Sequence, residues 1–411
     1  MDILDLAVVG GGAAGFFCAV NAARMNPGMK IAIIEKSSKL LSKVKVSGGG
    51  RCNVTHDESD IAELVKYYPR GQHFLKKAFH HFSPKDTVTW FGERGVDLKV
   101  EADGRMFPTT NSSQTIIDCL MKEANDYKVS IFMNAGIVHL ERQNGLWLLR
   151  ENGERTWIAR NVCITCGGFN KFEQYSWLTQ LGLKVETPVP SLFTFNMPGN
   201  AITSLMGVSV PGATIKITGT KLAASGPLLI THWGLSGPAV LKLSALAARL
   251  LSEKDYHFTI LVNWLSGETE DTLRSAWAAI RNKAGHSLVA NKNPFGLPSR
   301  LWDYFLQQAG IGSDVYWSEL KSTSQNKLIQ LLTAQSFAIH GKTTFKEEFV
   351  TCGGIALSQI DVNTMQCKRL PGLYFAGEVL DVDGVTGGFN FQNAWTTGWI
   401  AAKAVGNGTP N

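Results

Sequence analysis

The chain has 411 residues, 44% of them hydrophobic, which is more than one core holds and excludes a single small domain. Lys and Arg number 40 against 34 Asp and Glu, a mild excess without a block of like charges, so no nucleic-acid partner is expected. The excess suits an anionic small molecule such as a nucleotide, or it simply keeps the protein soluble.

The apolar stretch over residues 6–23 does not have the features of a signal peptide. Acidic residues, Asp2 and Asp5, precede it, and glycines interrupt it. No stretch is apolar for long enough to span a bilayer, so no membrane partner is expected. The 7 cysteines are sparse and odd in number, which argues against a disulfide framework and predicts a cytoplasmic protein.

The first elements in chain order form a βαβ unit. Residues 3–9 are predicted to be a buried strand, residues 13–25 a helix and residues 30–35 a second buried strand, with the break at residues 26–28. A crossover of this kind is right-handed and joins parallel strands.

The later elements change in character along the chain. Tight turns at Asn144-Gly145 and Asn152-Gly153 predict an antiparallel meander. A strand is expected at residues 129–132, and the strands of the meander are expected at residues 137–142, 146–149 and 161–165. Short strands at residues 189–196, 208–210, 214–218 and 228–232 predict a β-rich insertion, followed by a helix at residues 238–251 and helical periodicity over residues 271–333, broken at residues 291–298. From Thr351 onward the sequence again has the glycine-rich pattern of strands and turns seen in the first βαβ unit.

A dinucleotide fingerprint occupies the first turn of the βαβ unit. Residues 10–15, Gly-Gly-Gly-Ala-Ala-Gly, fit G-x-G-x-x-G between a strand and a helix. The free N–H groups at the helix N-terminus favour a pyrophosphate. Glu35 ends the second strand, where an acid binds a ribose hydroxyl and repels a 2′-phosphate. The alternative, a glycine turn without a nucleotide, does not account for this acid.

A second glycine-rich element near the C-terminus favours FAD over NAD as the predicted cofactor. Residues 372–378 read as a strand that ends at Glu378, and residues 387–392 open a helix that runs to about Val405. Glu378 is expected to accept a hydrogen bond from the ribitol chain of FAD. The helix that starts near Asn390 is expected to direct its N–H groups at the flavin pyrimidine, which gains negative charge on reduction. An ordinary helix cap is the alternative.

Three long motifs resemble a bacterial family of FAD-dependent flavoproteins whose members are similar to aminoacetone oxidase and to a bile-acid enone reductase. The motifs are residues 47–53, residues 226–238, and residues 377–384 together with 387–392. The resemblance implies an α/β fold with a discontinuous Rossmann-type FAD domain, an inserted β-rich domain and a small helical domain. The implied boundaries are 1–188 and 345–411, then 189–265 and 334–344, then 266–333.

The predicted cofactor-binding residues combine the fingerprint, the C-terminal element and positions that the resemblance supplies. They are Gly10, Gly12, Ala13, Ala14, Gly15, Glu35, Lys36, Arg51, Cys52, Asn53, Ile137, Gly168, Gly377, Glu378, Gly388, Phe389 and Asn390. The resemblance places Arg51, Cys52 and Asn53 beside the pyrophosphate, ribitol or flavin, and the backbone of Ile137 at the adenine. The chain departs from many relatives at residues 167–175, and also at Phe389 and Asn393, where relatives often have tyrosine and tryptophan.

The catalytic side chain is not identified by any motif. No Ser/His/Asp set and no metal-ligand set is present, and Cys163 and Cys166 read as structural residues at the end of a strand. His232 is the candidate for substrate polarisation or proton transfer, with a structural histidine as the alternative. Arg105 is expected either to bind an anionic group or to stabilise a turn. Asp381 and Asp383 are expected either to bond near the cofactor or to hold their loop.

These features predict an FAD-dependent oxidoreductase that transfers hydride between a small organic substrate and bound FAD. Either a transiently bound NAD(P)H is the donor, or O₂ is the acceptor. The alternatives are a non-catalytic flavin- or nucleotide-binding protein with a sensory or RNA-related role, and an NAD-linked dehydrogenase without flavin. The last would leave residues 387–392 unexplained.

Overall fold

The computed structural model describes residues 3–153, 155–344 and 350–407. The chain forms two compact units, one of residues 1–191 with 345–411 and one of residues 192–344. The predicted helical insertion, residues 266–333, lies inside the second unit, and its standing as a separate domain stays a prediction. No helix among the described residues is both long enough and apolar enough to cross a membrane.

The strands and helices alternate through the first unit and then become mainly strands and later helices in the second. The strands are β1 (Ile3–Val9), β2 (Ile31–Ile34), β3 (Thr55–His56), β4 (Leu98–Val100), β5 (Arg105–Pro108), β6 (Ser130–Phe132), β7 (Ile137–Gln143), β8 (Leu146–Glu151), β9 (Thr156–Ile164), β10 (Val185–Ser191), β11 (Thr194–Asn196), β12 (Ser209–Ile217), β13 (Ala223–Thr231), β14 (Gly234–Ser236), β15 (His257–Asn263), β16 (Gln335–His340), β17 (Lys342–Thr343), β18 (Val350–Ile355) and β19 (Leu373–Phe375). The helices are α1 (Ala13–Met25), α2 (Ser42–Gly50), α3 (Ile61–Leu64), α4 (Gln72–Ala78), α5 (Pro84–Gly92), α6 (Ser113–Asp126), α7 (Ser176–Thr179), α8 (Pro238–Leu246), α9 (Ala248–Glu253), α10 (Glu270–Ala284), α11 (Ser299–Ala309), α12 (Ser322–Ala334) and α13 (Phe389–Asn407).

The main sheet of the first unit has the order β6-β2-β1-β9-β8-β7, and β19 pairs with the end of β9. β6, β2, β1, β9 and β19 are parallel, whereas β7, β8 and β9 form the predicted antiparallel meander. β2 is buried along its whole length because helices and loops cover both faces of a parallel sheet. The predicted Rossmann-type fold is therefore confirmed.

α1 and α13 pack against each other in the same direction. A side chain at Gly398 would meet the carbonyl oxygen of Ala14 at 2.9 Å, so the two backbones are in close approach there. Phe17 and Trp395 fill the neighbouring space with ring centroids 5.2 Å apart. Toward the other end, Gly406 lies beside Asn26. Both helices consequently begin on the same side of the unit.

The second unit is built on an antiparallel sheet with the order β16-β15-β12-β13-β14-β11-β17. Buried tryptophans from its strands and helices, Trp264, Trp277, Trp302 and Trp317, lie in one continuous core with aliphatic side chains. Two strands predicted at residues 208–210 and 214–218 are a single strand, β12, with an irregular register between Val210 and Ala213. The predicted β-rich character of the insertion holds.

Two predicted elements differ from the structure. Residues 189–196 were expected to be one strand, but they form β10 and β11, which belong to different sheets and different units. The chain breaks at Leu192, which has a φ of 55°. The helix predicted at residues 238–251 is likewise divided, because Ala247, with φ −99° and ψ 8°, separates α8 from α9.

Candidate functional site

The carboxyl ends of the parallel strands bring distant segments to one edge of the main sheet. β1, β2, β9 and β19 are in register as parallel neighbours, so the residues that follow each strand lie along the same edge. In parallel α/β sheets this edge is where ligands bind. The residues there are Gly10–Gly12 after β1, Glu35 after β2, Thr165–Gly168 after β9, and Gly377 with Glu378 after β19.

The glycine turn after β1 leaves the N-terminus of α1 open. Gly10 has a φ of +119°, and a Cβ there would stand 2.6 Å from the carbonyl oxygen of Thr165, so only glycine fits. Gly12 is the N-cap of α1 and makes no side-chain capping bond. A Cβ built at Gly12 has no atom within 4 Å. Among the described residues, the space beside Gly12 at the start of α1 is therefore open, and the free N–H groups of a helix start suit a phosphate.

Glu35 lies beside this turn and holds it in place. Its Oε2 accepts a hydrogen bond from the backbone N–H of Gly11 at 2.7 Å, and its Oε1 accepts one from Ser37 N at 2.8 Å. Each carboxylate oxygen keeps a lone pair for a further donor. Lys36 follows, with its Nζ 5.4 Å from the centre of the Phe169 ring.

Glu378 joins four segments at the same edge. Lys43 Nζ donates to its Oε2 at 2.6 Å, and Thr351 N donates to its Oε1 at 2.9 Å. A Cβ at Gly168 would stand 3.0 Å from Glu378 Oε1, so the loop after β9 is in contact as well. The predicted contact with ribitol stays a prediction, but the carboxylate is at the place where it was expected.

The start of α13 is held by two asparagines. The Asn390 amide accepts from Gly384 N at 2.8 Å and donates to Gly384 O at 3.0 Å, which fixes the loop before the helix. The Asn53 amide, oriented to donate to Thr55 O at 3.0 Å, accepts from Gly388 N at 3.0 Å. The N-terminal motif of residues 47–53 and the C-terminal motif therefore touch directly.

The glycine loop at the end of α2 presents backbone rather than side chains. Gly48, Gly49 and Gly50 have φ values of 58°, 68° and 83°, and a Cβ at Gly49 or Gly50 would meet no atom within 4 Å. Consecutive residues in this conformation expose N–H groups suited to an anion. Gly50 is thus another open position, next to Arg51.

Arg51 and Cys52, the predicted cofactor residues after this loop, have other contacts. Arg51 Nη1 lies 2.5 Å from Glu101 Oε1, and its guanidinium stacks 4.0 Å above the Phe107 ring. Cys52 is completely buried, and burial raises the pKa of its thiol to about 12. Their predicted contacts with the cofactor stay predictions, and Ile137 begins β7 as expected.

An aromatic cluster at the start of α13 was not foreseen from the sequence. Tyr67 stacks on Phe389 with ring centroids 4.4 Å apart and an angle of 11°, and His56 lies 4.6 Å from the same ring. The backbone carbonyl of Tyr67 accepts from Val385 N at 2.9 Å. Within the described residues, the Tyr67 hydroxyl has no hydrogen-bond partner. No motif links residues 56 and 67 with 389, so only the fold reveals the cluster.

His56 is expected to make the stability of the protein depend on pH. Its Nδ1 lies 3.0 Å from Gly387 O, and burial lowers its pKa below 6.5, although Gly387, Asp103, Glu58 and Asp57 act against burial. The unfolded state therefore takes up a proton at a higher pH than the folded state. We expect the free energy of unfolding to fall as the pH drops through about 6.5, measured by urea titration. In His56→Gln this fall should become shallower, and an identical slope would contradict the assignment.

The remaining candidates from the sequence have the following contacts. His232 is exposed in the second unit, between β13 and β14, and its ring contacts Trp233 at 4.2 Å. Arg105 Nε lies 2.8 Å from Asp103 Oδ2, which favours the turn-stabilising alternative. Asp383 is buried and bonded to Arg70 and Ser191, which favours the alternative that it holds its loop. Cys166 is a free thiol whose pKa burial raises to about 12, as fits a structural residue.

Comparison with known proteins gives full-length matches. A family model described as "HI0933-like protein Rossmann domain" matches residues 4–404. The chain is 30% identical over 419 residues to a ribosomal RNA dihydrouridine synthase of Escherichia coli strain K12, with 98% of each chain covered. It is 28% identical to the protein of the same name from Haemophilus influenzae, with 97% of each covered. It is 25% identical to a 3-dehydro-bile acid delta(4,6)-reductase of Clostridium scindens, with 97% of this chain and 98% of the relative covered.

Solved structures share the fold at low identity. A 3-ketosteroid delta1-dehydrogenase from Sterolibacterium denitrificans aligns with a TM-score of 0.53 at 12% identity, covering 100% of both chains. A flavocytochrome c3 fumarate reductase aligns with a TM-score of 0.52 at 14% identity, covering 99% of this chain and 78% of that one. These likenesses concern the fold alone.

Proposed function

The chain belongs to the HI0933-like family of Rossmann-domain FAD-dependent oxidoreductases, and from this premise we propose that it reduces a carbon–carbon double bond conjugated to a carbonyl group. The family resemblance and the enzyme class predicted from the sequence are confirmed. The direction of the reaction and the substrate are the proposal.

The names of the curated relatives support this direction because they share one chemistry. Dihydrouridine is uridine whose C5–C6 double bond, conjugated to the C4 carbonyl, has been saturated. A 3-dehydro bile acid with delta(4,6) unsaturation has double bonds conjugated to its 3-carbonyl. In uridine, and at the 4,5 double bond of the unsaturated bile acid, a hydride adds to the carbon β to the carbonyl and a proton adds to the carbon α to it. One arrangement of cofactor and proton donor serves both reactions.

The substrate that we propose is a uridine in ribosomal RNA. The E. coli and H. influenzae relatives match at 30% and 28% identity over nearly the whole chain, above the 25% of the bile-acid reductase. The formal net charge of +6 is compatible with a polyanion. This proposal departs from the expectation of no nucleic-acid partner, which rested on charge pattern alone. A small conjugated enone is the second candidate, favoured by the bile-acid relative.

The residues at the sheet edge fit FAD. The open N-terminus of α1 at Gly12 would receive the pyrophosphate, Glu35 a ribose, Glu378 the ribitol chain and the N-terminus of α13 the flavin pyrimidine. The open backbone at Gly12 carries this fit, because no atom of the described residues lies within 4 Å of a Cβ built there. When bound, FAD supplies the hydride. The rest of the reaction depends on how the chain binds the substrate ring and where a proton donor lies.

Tyr67 is the proton donor that this arrangement favours. Its hydroxyl is without a partner in the described part of the chain, and its ring is fixed by stacking 4.4 Å from Phe389 at the start of α13. The backbone bond from Val385 N, 2.9 Å long, fixes its carbonyl as well. A phenol held in this way can donate a hydrogen bond to the substrate carbonyl, or a proton to the carbon beside it.

Tyr67→Phe should lower the rate of substrate reduction by about 100-fold or more, since it removes the donor but keeps the stacked ring. FAD binding and reduction of the flavin by NADPH should stay as in the wild type. Stopped-flow absorbance resolves the two half-reactions. If the oxidative half-reaction is unchanged in the variant, Tyr67 is not the donor.

The test of the function is an anaerobic assay of the purified FAD-loaded protein. NADH or NADPH first reduces the flavin, and then ribosomal RNA transcribed in vitro, a 3-keto-4,6-diene steroid or an aliphatic amine is supplied. Reoxidation by RNA, with a gain of two hydrogens on a uridine by mass spectrometry, supports the proposal. Reoxidation by the steroid alone favours the second candidate. Reduction of oxidised flavin by the amine, followed by reaction with O₂, would overturn both. Tight FAD binding with no turnover on any donor would favour a non-catalytic role.

A further inference from the structure

A stretch of the first unit is free of acidic residues. Between Glu63 and Asp86 the sequence contains no Asp or Glu. Its basic and imidazole side chains are Lys66, Arg70, His73, Lys76, Lys77, His80, His81 and Lys85. They are spread over several turns and short helices, so no block of like charges marks them in the sequence. Arg70 forms an ion pair with the buried Asp383. His73, Lys76 and Lys77 are exposed on α4.

A cavity lies between α4 and residues 357–368, with a volume of about 520 Å³. His73, Phe74 and Lys77 line it from α4, and Asp361 and Lys368 line it from the other side. Lys368 Nζ donates to Ser358 O at 2.7 Å, so this cation is held in the wall. Lys77 has no ion-pair partner among the residues described. The lining therefore has two lysines, Lys77 and Lys368, against one carboxylate, Asp361, with the Phe74 ring among them.

The cavity is connected to the cofactor edge through one loop. Gly71, at the rim, packs against Val382, because a Cβ at Gly71 would stand 2.7 Å from that side chain. The next residue, Asp383, is bound by Arg70, which precedes Gly71. This loop leads to Gly384 and the start of α13. Residues 382–384 therefore join the rim of the cavity to the segment that leads into α13.

We propose that this cavity, with the exposed face of α4, binds the phosphodiester backbone of the RNA substrate, and that Phe74 offers a stacking surface for a base. The inference rests on the proposed function. Lysines that attract phosphates, beside an aromatic ring that stacks any base, are the combination with which proteins hold single-stranded or looped RNA. The volume holds a nucleotide rather than a single phosphate. The contact of the cavity rim with the loop before α13 would let RNA bound there present a neighbouring uridine to the flavin.

The variant Lys76→Glu/Lys77→Glu tests the proposal, with Lys122→Glu on α6 as the matched control because Lys122 is also exposed on a helix. The probe is ribosomal RNA transcribed in vitro, bound by the FAD-loaded protein at several salt concentrations. We expect the double variant to bind RNA about 50-fold more weakly at about 0.1 M salt. The slope of the logarithm of the association constant against the logarithm of the salt concentration should become shallower by about 2. The control should keep the wild-type affinity and slope.

The half-reactions separate this proposal from the proposed function. Flavin reduction by NADPH and turnover on free uridine or a small enone should be equal in the variant and the wild type, which also shows that the variant is folded. If wild type and double variant bind RNA equally, or if the wild type does not bind RNA, the docking site is overturned. If an acidic polypeptide competes as well as RNA does, a protein partner replaces RNA. Should the wild type bind RNA through α4 but reduce no uridine, the docking site stands and the proposed function fails.

Discussion

Gly12→Glu is expected to abolish FAD binding while the chain stays folded. Gly12 has φ −94° and ψ −168°, an extended conformation open to any residue, and a Cβ there meets no atom within 4 Å. An acid at a helix N-terminus adds about 0.3–1 kcal/mol of stability. The same carboxylate would occupy the place proposed for the pyrophosphate, and two like charges about 4 Å apart repel by roughly 4 kcal/mol at the effective dielectric of a protein surface.

We therefore expect FAD affinity to fall by at least about 100-fold, measured by fluorescence titration of the apoprotein. Gly12→Ala is the matched control, since it adds bulk without charge and should weaken binding less. The far-UV circular dichroism and the urea midpoint of Gly12→Glu should equal or exceed those of the wild-type apoprotein. Retention of a stoichiometric yellow cofactor by Gly12→Glu would place the pyrophosphate elsewhere.

Asp383→Ala is expected to destabilise the protein by about 3–5 kcal/mol. Asp383 is fully buried, and its carboxylate accepts two hydrogen bonds from Arg70 and one, 2.8 Å long, from Ser191. Burial lowers the pKa of Arg70, but the hydrogen bonds and charge of Asp383 outweigh burial and raise it. Removing Asp383 leaves this guanidinium charged and largely out of water, which is the costly half of a broken buried pair.

Urea unfolding measures this loss, and a double variant separates the pair from its individual charges. Arg70→Met/Asp383→Leu removes both ions and should recover most of the stability, because a buried pair replaced by apolar side chains is often neutral. If the single variant is as stable as the wild type, the loop before α13 is held by other contacts. FAD affinity should fall together with the stability of that loop, since Gly384 follows Asp383 and is hydrogen-bonded to Asn390 at the start of α13.

The features predicted correctly from the sequence are those that a local residue pattern determines, such as the bounds of strands and helices. β1 and α1 have the predicted bounds, because a buried strand, a glycine turn and a long apolar run leave few alternatives. Glu35 and Glu378 stand at the sheet edge because parallel strands end together. The break at Leu192 was not predictable, since a left-handed φ at leucine is imposed by tertiary contacts rather than by local preference.

The sequence did not predict which side chains far apart in the chain are in contact in the fold. His56, Tyr67 and Phe389 meet because β3 and the following segment pack against the start of α13, and neither spacing nor composition records that contact. Arg51 is a related case. The family resemblance places it beside the cofactor, which stays a prediction, whereas its contacts with Glu101 and Phe107 are ones that no local motif indicates.

The parallel contact of α1 with α13 has a consequence for biosynthesis. α1 leaves the ribosome long before α13, so the surface that Gly398 and Trp395 cover on it stays bare until α13 emerges. The final residues of β9 likewise lack their parallel partner until β19 has been made. We therefore expect a nascent chain to expose this apolar surface of α1 until α13 has been made, and to bind the coenzyme only after that.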